Sequence, residues 1–119
     1  MLLVLEPHGQ RAGRSDAEGR AAYDSMLRYA ETLKARGVLQ AAQSLRTDTE
    51  GVRVEVRAGK RTLVDGPFSE SKEMIGGYFL VDCASRDEAV EIAAGLPAAQ
   101  WATVEVREFG PCFLCLRRP

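Results

Sequence analysis

The sequence predicts an α+β domain in which two strand-helix-strand units share one sheet and a β-hairpin stands between them. Three observations carry this. Apolar residues recur at helical spacing in two stretches, each opened by a serine with a glutamate three positions on, Ser15 with Glu18 and Ser85 with Glu88. Short apolar or alternating runs flank both stretches, as strands do. Between the units, Val52, Val54 and Val56 alternate with Arg53, Glu55 and Arg57. The layout is a split βαβ arrangement with two helices on one sheet face.

Leu2 to Leu5 is short and apolar and is stopped by Pro7, which reads as a buried strand. Gly9 to Arg14 is a polar loop. Tyr23, Met26, Leu27, Ala30 and Leu33 then form a narrow apolar stripe, with Asp24, Arg28, Glu31 and Lys34 turned to water. Gly37 ends this helix, because glycine accepts the left-handed conformation just past a helix end. Val38 to Leu45 is a second strand and Thr47 to Gly51 a loop. The Val52–Arg57 alternation gives a strand covered on one side, Ala58-Gly59 a turn, and Lys60 to Val64 its hairpin partner. Tyr78 to Cys83 is a strand. Ala89, Ile92, Ala93 and Leu96 make a second helical stripe that Pro97 ends, and Val104 and Val106 mark a last strand. Two helices cover one face, so the other apolar face needs a cover, and the sequence predicts a homodimer packed sheet against sheet.

With 119 residues, 45% of them hydrophobic, the chain suits one domain, taken as 1–109 with a tail at 110–119. A net charge of -1 gives no general attraction to nucleic acid or anionic lipid. One histidine excludes a two-histidine zinc helix, and no GxGxxG, P-loop or GxSxG pattern is present. Met1 to Leu5 is too short for a signal peptide or a membrane span. The three cysteines, Cys83, Cys112 and Cys115, do not make the even set of a secreted disulfide scaffold, so the expected compartment is the cytoplasm. Cys112 and Cys115 form a C-x-x-C pair, but the tail supplies neither a basic setting for redox chemistry nor four zinc ligands. Phe113 and Leu114 suit packing on a neighbouring surface instead. No metal and no cofactor is assigned.

Residues 65–77 read DGPFSESKEMIGG. Asp65-Gly66-Pro67 is turn chemistry, Phe68 anchors a loop, Glu70, Lys72 and Glu73 cluster charge, and Gly76-Gly77 allows a close approach of the backbone before the next strand. This segment resembles the DGPF-domain family within the YCII-related group of small bacterial proteins. The likeness continues through Gly77 to Asp82, the helix from Ser85 to Pro97, Val104 to Arg107, and back to Leu33 to Leu39. The resemblance implies a ferredoxin-like βαββαβ subunit with the hairpin inserted, dimerising into an α/β barrel with a cleft between sheet and helix. It further implies a protein of undetermined biochemical function, linked to extracytoplasmic-function sigma-factor signalling and to a protein partner of that kind. In the YCII branch a cleft-facing His–Asp dyad is the proposed acid-base pair. The first helix here offers Tyr23, Met26 and Tyr29 but no histidine, and Leu96 stands before Pro97 where the aspartate belongs. That dyad is not carried over.

The sequence therefore points to a binding protein for an unknown small molecule or partner, with Asp65, Phe68, Glu70, Lys72, Glu73, Gly76, Gly77 and Tyr23 as its contacts. The alternative is a small enzyme using Asp65, with or without His8, for acid-base chemistry on an organic substrate. Each residue has a bland reading as well. Asp65 can cap its own turn, the charged cluster can be a solvated loop, His8 can face solvent, and Tyr23 can pack in the core.

Overall fold

Two capped helices lie on one face of a four-stranded antiparallel sheet in a computed structural model that describes residues 1–113. The elements run β1 (Leu2–Pro7), α1 (Asp16–Ala35), β2 (Leu39–Ser44), β3 (Val52–Arg57), β4 (Lys60–Asp65), β5 (Glu73–Val81), α2 (Arg86–Gly95) and β6 (Thr103–Val106). The order across the sheet is β2-β5-β1-β6, compatible with a ferredoxin-like fold, while β3 and β4 pair separately as a two-stranded sheet. Among the described residues no helix is long and apolar enough to cross a membrane.

The helix limits follow local chemistry. Ser15 and Glu18 form a reciprocal capping box on α1. At the other end Gly37 takes φ +75°, its N–H donates to Lys34 O, and Val38 N–H donates to Leu33 O, which together satisfy two terminal carbonyls. On α2, Ser85 accepts from Glu88 N–H as expected, but the Glu88 carboxylate reaches back to Ala84 N–H, one residue earlier than in a capping box. Pro97 does not end α2 itself. The helix stops at Gly95, and Pro97 opens a 3-10 turn over Pro97–Gln100.

The core forms where both helices meet the sheet. Leu2, Leu33, Phe79, Ile92, Ala93 and Leu96 are its buried centre, ringed by Met26, Leu39, Ala42, Val81, Val104 and Val106. Tyr29 ties α1 to α2 by donating its hydroxyl to Ile92 O at 2.8 Å, and burial raises its pKa. Register sets the faces: Leu2 sits opposite Phe79 and Val106 on the helix side, whereas Leu3 sits opposite Tyr78, and Leu5 opposite Ile75, on the side without helices.

Expectations for the strands change as well. β5 begins at Glu73, so the stretch expected as a loop through Gly77 ends earlier, and Gly76 and Gly77 lie inside the strand. The ladder shifts between Val4 and Leu5, where Gly77 and Ile75 are the successive partners, which leaves Gly76 as the extra residue of a bulge. The alternating face of β3 is not covered within the chain either, since every residue of β3 and β4 is exposed. The hairpin turn itself is tight, with Ala58 at φ +51° and Gly59 at φ +77°, the pairing that suits a two-residue connection. The C-x-x-C pair is described only at Cys112, which is exposed beside a 79% exposed Phe113; Leu114 and Cys115 lie outside the described residues.

Candidate functional site

A cleft of about 890 Å³ opens between α1 and the helix-facing side of the sheet. The buried Val4 and Phe79 and the bare backbone of Gly76 and Gly77 line the sheet side, while Tyr23, Met26, Leu27 and Ala30 line the α1 side. Tyr23 and Leu27 are 51% and 47% exposed, so the stripe expected as core is open at this end of the helix. Ala98 and Trp101 also line the cleft.

A buried ion pair borders the cleft. Glu6 occupies an inward position of β1, two residues beyond Val4, and is only 7% exposed. A carboxylate there needs a charged partner, because burial alone would cost it several kcal/mol, on the order of its lost hydration. Arg11 supplies it from the Gly9–Arg14 loop, with Nε donating to Oε1 at 2.5 Å and Nη2 to Oε2 at 3.2 Å. The guanidinium also donates to Leu45 O at 2.6 Å and to Gly76 O at 3.1 Å, so it joins the ends of β1, β2 and β5. This explains the first glycine of the pair. A Cβ on Gly76 would stand 2.0 Å from Glu6 Oε2 and 2.9 Å from Arg11 Nη2. A Cβ on Gly77 would stand 2.7 Å from Gln43 O, across the β2 ladder.

Cationic groups dominate the rest of the polar lining. Arg14 lies over the Trp101 ring at 5.4 Å from its centroid, and Arg20 is exposed on α1. Neither has an ion-pair partner among the described residues, and Asp16 is the other carboxylate in the lining besides Glu6. With Glu6 neutralised by Arg11, the cleft carries a small excess of positive charge.

The other predicted residues gather elsewhere. Among them, Tyr23, Gly76 and Gly77 line the cleft, whereas Asp65, Phe68, Glu70, Lys72, Glu73 and His8 do not. Asp65 ends β4 opposite Val52, and its carboxylate is exposed. The segment after it closes on Asp48, in a 3-10 turn of the expected loop, Asp48–Glu50. Phe68 N–H donates to Asp48 Oδ2 at 3.3 Å, and a Cβ on Gly66, which precedes a cis bond to Pro67, would stand 1.8 Å from Asp48 O. The Phe68 ring carries the Arg53 guanidinium 3.8 Å above its centroid. Arg53 also pairs with Glu70, whose pKa is lowered by its own backbone N–H and by that guanidinium. Lys72 contributes its carbonyl, which accepts from His8 N–H, and Glu73 pairs with Pro7 at the start of β5.

His8 meets a carboxylate, and it is Asp48: Nδ1 lies 3.5 Å from Oδ2, and Nε2 is buried with no partner among the described residues. Among the described residues no group of three or more His, Cys, Asp or Glu is arranged to hold a metal. Glu6, Arg11 and Asp48 were not among the expected residues. Glu6 carried a readable signal, a charge in the inward register of Leu2 and Val4, which was lost by ending the strand at Leu5. Arg11 and Asp48 gave none, because what fixes them is mostly remote: beyond Glu6 at five residues, Leu45 and Gly76 lie 34 and 65 residues from Arg11, and Phe68 lies 20 from Asp48.

Comparison with known proteins places the chain among its relatives. An uncharacterised protein of Rhizobium meliloti (strain 1021) is 48% identical over 46 residues, which cover 39% of this chain and 37% of that relative. The matched stretch thus spans little more than a third of the relative's length. The model of the YCII-related domain matches residues 2–111, nearly the whole chain, and the protein belongs to the YCII-related domain family.

Proposed function

We propose that this chain is a homodimeric accessory or regulatory protein that binds a small organic acid, one with an apolar body and an anionic end, in the cleft between α1 and the sheet. The observation that carries this is the cleft itself: about 890 Å³, apolar along Tyr23, Met26, Leu27 and Phe79, with the unpaired Arg14 and Arg20 in its lining. Such a pocket takes a guest by burying its apolar body and orients it by a few charged groups. The homodimer has its support in the uncovered sheet face around Leu3, Leu5, Ile75 and Tyr78. A link to extracytoplasmic-function sigma-factor signalling has its support in the family resemblance alone.

The single tryptophan, Trp101, lines the cleft and makes it observable. Titration with 2-naphthoate is expected to change Trp101 fluorescence saturably, with 2-naphthamide binding at least tenfold more weakly. Arg20→Gln should remove most of that preference. An equal response to acid and amide, or none to either, overturns the proposal.

A second reading, acid-base chemistry with Asp65 or His8 as proton carrier, has one specific support. His8 Nδ1 lies 3.5 Å from Asp48 Oδ2, which sets a carboxylate beside an imidazole whose Nε2 has no partner among the described residues. Turnover of a small organic substrate, seen by mass spectrometry and abolished by His8→Gln with naphthoate binding in the cleft intact, would favour this reading over simple binding.

A further inference from the structure

The β3–β4 hairpin is the part of the molecule that its own fold leaves unexplained. Its register puts Val52, Val54, Val56 and Leu63 on one face, with Asp65 and Arg61 at the two ends of that face. These four aliphatic residues are each between 53 and 58% exposed, and Val64 on the other face is 51% exposed. An isolated two-stranded hairpin is at best marginally stable in water, and soluble monomers seldom leave such an apolar row uncovered.

Surface area says how much cover is missing. The chain exposes 8888 Å², whereas a folded monomer of 13.0 kDa is expected to expose about 6,300 Å². With about 1,000 Å² of this set aside as a margin, the excess is still on the order of 1,500 Å². That is more than the roughly 800 Å² each partner gives up in a standard interface, and it falls in the range of obligate dimers. The radius of gyration, 16.5 Å, likewise exceeds the roughly 13.5 Å expected for a compact chain of this length.

We infer that the hairpin is a dimerisation arm, whose Val52/Val54/Val56/Leu63 face packs on a second copy of this chain. Area favours that occupant: the missing cover matches what one copy gives up in an obligate dimer, and the face itself is charge-balanced, with Arg61 and Asp65 at its two ends. The second copy also brings the uncovered sheet face, so centre and arms form one interface. This rests on the homodimer proposed above and adds to it a reciprocal contact through the arms.

The test is sedimentation equilibrium of the full chain beside the double variant Val54→Glu/Leu63→Glu, with circular dichroism to check the fold. These residues make no part of the chain's own core, so the variant should keep its spectrum while its dimer dissociation constant rises at least 100-fold. A variant that dimerises as tightly as the native chain overturns the arm and leaves the homodimer standing; a native chain that is monomeric at 50 µM overturns both. If the variant fails to fold, hydrogen exchange on the native chain decides. Amides of residues 52–65 should gain protection as concentration crosses the dimer transition, and protection independent of dilution overturns the arm.

Discussion

Gly66 has no room for a side chain. Its missing Cβ would overlap Asp48 O at 1.8 Å, and its own N–H donates to Gly51 O at 2.9 Å, so it is fixed from two directions. Gly66→Ala must push away the turn that holds Asp48, and with it the carboxylate shared by His8 and the Phe68 N–H. The expected loss is about 2 kcal/mol, typical of forcing an extra carbon into a packed site, read as a lower urea midpoint with unchanged slope. The DGPF segment was legible as a specially built stretch, but not what it is built around. Gly66 and Phe68 answer to Asp48, a residue with no pattern of its own in the sequence. Asp65, the most conspicuous polar residue of the four, stands at the exposed end of β4.

Elements whose determinants are local were legible nearly to the residue. Ser15 with Glu18 and Gly37 mark the ends of α1 because each acts on backbone groups within a turn of itself. The Ser15 backbone N–H, and then its hydroxyl, hold the Glu18 carboxyl below its ordinary value of 4.5. A lowered folded-state pKa means that the stabilisation is present above the ordinary carboxylate range and is lost as pH falls through the folded value. Glu18→Ala should therefore be less stable than the native chain at pH 7 and should converge on it toward pH 3. Thermal melts across that interval check this, and a deficit that persists at pH 3 would assign the effect to contacts of the Glu18 side chain that do not depend on its charge. β5 was legible only from Tyr78 onward. Its first residues, Glu73 to Ile75, follow a charged loop and join the ladder only across the Gly76 bulge, a feature of pairing with β1 that local pattern does not contain.

At the scale of the whole molecule, the two-helix, one-sheet layer was legible because strand and helix periods alternate along the chain. The cleft was implied by resemblance, yet its wall residues were mostly assigned to core. Helical periodicity identifies an apolar face without saying whether a sheet lies against all of it. The same limit applies to β3, where the alternation announced a covered face and the single chain supplies no cover. Arg11 gathers these long-range relations into one side chain. Its hydrogen bonds reach 5, 34 and 65 residues along the chain, so all of them exist together only after β1, β2 and β5 have come into place. Such a contact belongs late on the folding route, with a φ-value near zero. Removing it should cost about 2 kcal/mol, less than a fully buried pair because a third of the Arg11 side chain meets water. In stopped-flow experiments Arg11→Ala should then fold at close to the native rate and unfold roughly 30-fold faster. The ion pair beside the cleft thus governs how long the assembled sheet lasts, and has little part in how quickly it forms.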